Sequence, residues 1–147
     1  MTIPVRNPRT GEIDYQIEAA SPADIAAAAA GLRANQPAWA ALGAEGRAAV
    51  LLKWAEALQA NMAAIVGQLS IDTGRLAIAN VEIFGVIGTL QRWAATAPAI
   101  IAGLDLKDVP SATPGVTISN RHVPYQLLGV IAPWNFPLLM ALIDAIP

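Results

Sequence analysis

No cysteine occurs among the 147 residues and histidine occurs once, at His122, so the chain carries no disulfide, no thiol nucleophile and none of the usual zinc sets. Charge is also scarce: charged residues make up 14% of the chain, against about a quarter in ordinary globular domains. Nine basic and eleven acidic groups leave a net charge of −2. Without a run of either sign there is no field to draw a phosphate backbone or an anionic membrane surface, so no nucleic acid partner is expected. The start, Met1-Thr2-Ile3-Pro4-Val5-Arg6, has no basic segment followed by an apolar one. A secretory signal is therefore not visible, and the expected location is cytoplasmic. The one uncharged stretch long enough for a membrane span runs from Val123 to Ile143, and Pro124, Gln126, Pro133, Asn135 and Pro137 interrupt it. A buried strand leading into a buried helix explains the same hydrophobicity with no membrane.

Apolar residues, by contrast, are plentiful at 55%, and the length suits one domain with a single core. Asn7-Pro8-Arg9-Thr10-Gly11 is a cluster of turn formers between Val5 and the alternating Ile13, Tyr15 and Ile17, which predicts a short hairpin. Ser21-Pro22-Ala23-Asp24 then starts a helix, with a hydroxyl cap, proline in the first turn and a carboxylate near the exposed amides. This alanine-rich helix, which contains the only low-complexity patch, Ala26 to Ala30, is expected to stop before Pro37. From Ala44 to Ala60, Val50, Leu51, Trp54 and Leu58 share one helical face. A shorter helix around Met62 to Ile71 closes at Asp72-Thr73-Gly74-Arg75, where Gly74 suits the left-handed cap. Ile83, Val86, Ile87, Leu90 and Trp93 stripe a long helix that Pro98 is expected to kink or end, followed by a connecting loop from Gly103 to Pro114.

Beyond Gly115 the pattern changes. Val116 to Arg121 alternates like a half-exposed strand, and Leu127-Leu128-Gly129-Val130-Ile131 reads as a strand covered on both faces. In Ile131-Ala132-Pro133-Trp134-Asn135-Phe136-Pro137 the two prolines push Ala132 and Phe136 out of helical geometry, while Pro137 suits the first turn of an apolar helix. This corner therefore joins a strand's end to a helix start, the place where open α/β sheets bind ligands. Asn135 brings a neutral amide whose N–H groups can stabilise a developing oxyanion; capping the helix is the alternative role. His122 lacks a catalytic partner and reads as a strand or surface residue. Trp39, Trp54 and Trp93 read as core residues, and Asp72 and Glu82 as solvated helix ends. No metal site is expected.

The decapeptide Gly129-Val130-Ile131-Ala132-Pro133-Trp134-Asn135-Phe136-Pro137-Leu138 resembles the strand–loop motif of the NAD(P)-dependent aldehyde dehydrogenases. Weaker matches follow in family order: Asn7 to Glu12, Ala38-Trp39, the Arg47 to Leu58 helix, Asp72 to Arg75, and Arg121 ahead of Pro124. Gln126 departs from the family's usual glycine. The resemblance implies an α/β fold, the N-terminal part of the aldehyde dehydrogenase fold: mostly helical first, then a β arm and the first strand of a Rossmann-like parallel sheet. On that basis residues 1–114 are a hairpin and helical layer of the cofactor-binding domain and 115–124 a β-arm oligomerisation strand. Residues 125–147 are the first Rossmann-type strand, the Pro-Trp-Asn-Phe-Pro loop and the start of the next helix.

Function follows by the same resemblance. An aldehyde is oxidised to an acid with NAD or NADP through a cysteine thiohemiacetal, with Asn135 as oxyanion donor. Ile131, Ala132, Pro133 and Trp134 match positions along the cofactor, while Phe136, Met140 and Ile143 match positions near the aldehyde funnel. The nucleophilic cysteine, the water-activating glutamate and the glycine-containing cofactor turn belong to later chain, and the abrupt apolar end at Pro147 favours continuation. The 147 residues alone are expected to be inactive and poorly soluble, and the complete enzyme to be a homodimer or homotetramer acting on a small aldehyde. The other class of reading is a non-catalytic interaction or oligomerisation module that keeps the loop as packing.

Overall fold

The computed structural model describes residues 1–147. The strands β1 (Thr2–Arg6) and β2 (Ile13–Glu18) pair antiparallel with a register shift at Val5/Arg6, forming the expected hairpin. Asn7 holds the turn, its side-chain oxygen accepting the backbone N–H of Arg9 at 2.9 Å. Helix α1 (Pro22–Ala41) starts on a complete capping box: the Ser21 hydroxyl accepts the Asp24 N–H and the Asp24 carboxylate accepts the Ser21 N–H. Those hydrogen bonds, from the Ser21 backbone first, hold the Asp24 carboxyl below its ordinary pKa.

Helices α2 (Gly43–Ala60), α3 (Met62–Thr73), α4 (Leu76–Leu104) and α5 (Pro137–Ala145) form the packed part, with α2, α3 and α5 each laid against α4. The reason is the stripe on α4: Ile83, Val86 and Leu90 are wholly buried and Ile87 nearly so. Around them pack Leu51, Leu58, Met62, Ile65, Val66, Trp93, Leu138, Leu139 and Leu142. Gly85 lets α5 come close, since a Cβ there would lie 3.0 Å from the Leu139 Cδ1.

Gly74 ends α3 at φ 68°, and its amide donates to the Ser70 carbonyl at 3.0 Å. A side chain at Gly74 would also meet Pro8 Cγ at 3.1 Å and Arg9 Cγ at 3.3 Å, so the hairpin turn sits directly on the α3–α4 junction. The Tyr15 hydroxyl adds a second tie, donating to the Asp72 carboxylate at 2.9 Å, which raises the pKa of the phenol.

Several expectations are corrected. Helix α1 does not stop before Pro37 but carries it inside; of the two outcomes expected at Pro98, ending the helix does not occur, since α4 runs on to Leu104. Each proline removes one helical N–H, yet α1 buries no residue, so the carbonyl it orphans stays open to water. The buried face of α2 is rotated from the expected one: Ala48, Leu51, Ala55 and Leu58 face α4, while Val50 and Trp54 stay exposed. Trp39 is likewise exposed, leaving Trp93 as the one tryptophan of the three that packs on the core. The expected loop from Gly103 contains β3 (Val109–Pro110), paired antiparallel with β4 (Thr117–Ile118), which is all of the expected 116–121 strand that forms.

The largest difference lies at Leu127 to Ile131. No strand forms there, Ile131 is 98% exposed, and residues 123–135 make no backbone–backbone hydrogen bond. A strand takes its backbone hydrogen bonds from neighbouring strands, and the two sheets of the chain, β1 with β2 and β3 with β4, do not include this segment. Only 14 residues are buried, and the accessible surface is 10189 Å², whereas a compact monomer of this length exposes roughly 7,100 Å². No single helix is long and apolar enough to cross a membrane.

Candidate functional site

The corner around Asn135 is built from three stretches far apart in sequence. Pro133 and Pro137 exclude helix across the turn at Trp134-Asn135, and α5 begins at Pro137 with Phe136 as its N-cap residue. No side chain of the corner itself caps α5. That role belongs to Glu82, on the buried face of α4 and 1% exposed, whose Oε2 accepts the backbone N–H groups of Leu138 and Leu139 at 3.0 Å each. A carboxylate at these amides meets the positive end of the helix dipole, and the two charge-assisted bonds offset its burial.

Arg75 supplies the second anchor. It follows the Gly74 cap, and its guanidinium donates to the backbone carbonyl of Asn135 while lying 4.4 Å from the centre of the Phe136 ring. The hairpin turn, the Asp72-Thr73-Gly74-Arg75 stretch and the proline corner therefore meet in one chain of contacts: Pro8 and Arg9 on Gly74, and Arg75 on Asn135 and Phe136.

The Asn135 side chain is half-buried and bonds to no other group of the chain. The helix-capping alternative is thus occupied by Glu82, and the carboxamide stays available. Upstream, Ile131 and Pro133 are exposed, Trp134 is 78% exposed and Ala132 is half-buried. Downstream, Met140 and Ile143 lie three apart on one face of α5, each 38% exposed, and Phe136 is half-buried beneath Arg75. The site residues read from the sequence thus fall on one corner and the helix leaving it. Glu82 is corrected outright: it is no solvated helix end, and it forms no pair with Asp72, whose carboxylate serves Tyr15 and Gln68. A signal for this existed, because Glu82 falls on the α4 stripe between Ala79 and Val86.

Other features stand apart. His122 is exposed and pairs only with Asp105, the carboxylate accepting its backbone N–H at 2.8 Å, and that bond holds the Asp105 pKa down. The largest groove, ≈ 870 Å³, is lined by residues including Leu32, Trp39, Trp93, Tyr125 and Ile146 and does not reach Asn135. No group of His, Asp or Glu residues is arranged to hold a metal ion.

A family model described as "Aldehyde dehydrogenase family" matches residues 1–147. The vanillin dehydrogenase of Pseudomonas fluorescens is 36% identical over 92% of this chain and 27% of its own length. Among solved structures, PutA from Anabaena variabilis matches with a TM-score of 0.92 and 38% identity, over 99% of this chain and 31% of that one. A NAD-dependent benzaldehyde dehydrogenase from Corynebacterium glutamicum matches with a TM-score of 0.67 and 29% identity, over 78% of this chain and 24% of that one. The chain thus spans about 27% of the length of this curated relative.

Proposed function

The chain belongs to the aldehyde dehydrogenase family, and from that premise we propose that it works as the N-terminal part of an enzyme oxidising an aldehyde to a carboxylic acid with NAD or NADP. The nucleophilic cysteine and the water-activating glutamate come from chain outside these residues. When a thiolate attacks the aldehyde carbon, the carbonyl oxygen gains negative charge; the Asn135 carboxamide donates an N–H to it without losing a proton. The donor is worth most if its direction is fixed before the reaction, because no reorganisation is then needed as charge develops.

One observation carries this reading. The helix start behind Asn135 is satisfied by Glu82, so the Asn135 carboxamide is held at a rigid corner with its N–H groups uncommitted. The exposed apolar side chains of Ile131 and Trp134, beside backbone groups without partners, fit one wall for the flat rings and carboxamide of a nicotinamide dinucleotide. When bound, that cofactor supplies the hydride acceptor. No Gly-x-Gly-x-x-Gly turn occurs in the chain to cradle its phosphates. Phe136, Met140 and Ile143 form the apolar approach for the aldehyde. The surface left open, including Leu128 and Tyr125, is covered in the whole enzyme by the rest of its fold and by the second subunit of a homodimer or homotetramer.

Absorbance at 340 nm tests the proposal. The complete protein, given NAD or NADP with acetaldehyde or benzaldehyde, is expected to form reduced cofactor only when an aldehyde is present, and residues 1–147 alone are expected to form none. A folded complete protein that reduces neither cofactor with either aldehyde would refute the reading, as would turnover by the 147 residues alone.

A further inference from the structure

The contacts that hold the corner point to residues acting through Asn135 without touching the reacting atoms. Resting on the reading of Asn135 as oxyanion donor, we propose that Arg75 and Glu82 of the α3–α4 region are positioning residues for it. They clamp the backbone on the far side of its Cα so that the carboxamide is aimed before the substrate arrives.

The geometry is specific. Three constraints act on the short run from Pro133 to Leu139. The Pro133 ring limits φ ahead of Asn135. The Arg75 guanidinium fixes the Asn135 carbonyl and, by stacking at 4.4 Å, the Phe136 ring next to it. Glu82 then fixes the amides of Leu138 and Leu139 at 3.0 Å. Arg75 is the residue from which α4 starts and Glu82 lies seven residues on, in the second turn of that helix, whose core face is packed through Ile83 and Val86. Both anchors therefore move as one body with α4, and the carboxamide is referenced to the helical layer although it lies on a loop. Arg75 suits the task better than lysine does, because its planar fork can donate to the carbonyl and cover the ring together. Glu82 is buried and has two amides but no basic side chain as partners, so its charge serves the helix start of α5 and no surface ion pair.

A double-mutant cycle in the complete enzyme tests this, using NAD with whichever of acetaldehyde and benzaldehyde is turned over faster, and thermal melting to verify folding. Arg75→Ala is expected to lower kcat about 10- to 100-fold with less than about a threefold change in the KM for NAD, the range for a catalytic group displaced by an ångström. In an Asn135→Ala background the same substitution is expected to change kcat by less than about threefold, because the group it positions is gone. Arg75→Lys is expected to recover part of the loss, and it takes the place of Arg75→Ala in the cycle if the alanine variant fails to fold. Glu82→Gln, which keeps an acceptor oxygen, is expected to lose less than Glu82→Leu. If Arg75→Ala costs nothing, or costs equally with and without the Asn135 carboxamide, the positioning proposal is wrong while the oxyanion reading stands. If Asn135→Ala itself leaves kcat unchanged, the oxyanion reading fails and the positioning proposal with it.

Discussion

The two sides of Asn135 are both mostly apolar and have opposite fates. Behind it, Phe136 to Ile146 is pinned: Leu138, Leu139 and Leu142 pack on α4, Ile146 is buried, and Glu82 takes the first amides of α5. Ahead of it, Val123 to Trp134 is open, with Tyr125 at 89% exposure and Ile131 at 98%. The difference shows where each segment's partners are. A helix satisfies its own backbone and needs only one apolar surface, which α4 supplies; a strand must borrow its hydrogen bonds from neighbours, and none lie beside Leu127 to Ile131. Asn135 sits at the boundary, anchored to the helical layer on one side and facing open surface on the other.

That contrast can be broken or sharpened by substitution, here in the 147-residue chain with stability read by urea unfolding. Glu82→Leu attacks the pinned side most directly, since it strands two amides next to the core. A loss of about 1–3 kcal/mol is expected, and a neutral result would mean that the α5 start has other partners. Gly74→Ala forces a side chain into the left-handed cap and against Pro8, so about 1–2 kcal/mol of loss is expected, with the hairpin loosened. Acid probes the open side at its tether. The folded pKa of Asp105 lies below the ordinary 3.8, its first cause being the His122 backbone N–H. Its stabilising contribution is therefore complete above that ordinary value and fades as pH falls through the depressed one. Both partners are exposed, so a small shift of the His122 amide signal by NMR in that acid range is the expected readout. The smallest effect belongs to Ile131→Ala, within about 0.5 kcal/mol, because a fully exposed side chain has no packing to lose. A larger loss would mean that the open segment is covered within this chain.

Local chemistry was well legible in the sequence. The Asn7 to Gly11 turn, the Ser21 hydroxyl cap, the Gly74 cap and the start of α5 at Pro137 all depend on neighbours within a few residues, and all form as expected. Non-local matters were less so. Whether Leu127 to Ile131 becomes a strand depends on segments that pair with it, and the fate of Pro37 on whether water can reach one carbonyl. The composition of the corner was readable, but its support was not. Arg75 reaches Asn135 across 60 residues and Glu82 reaches Leu138 across 56, distances over which periodicity carries no information. A lone glutamate on an apolar stripe was the available clue that Glu82 is an anchor for α5 and not the solvated helix end that its charge alone suggests.

Replacing Asn135 in the complete enzyme while following kcat and melting temperature together separates the two jobs open to its side chain at this boundary. With Glu82 already capping α5, Asn135→Ala should lower kcat by roughly two to three orders of magnitude and leave the melting temperature within about 2 °C. Unchanged turnover together with a clearly lower melting temperature would contradict the account, because the carboxamide would then be supporting the helix instead of the reaction.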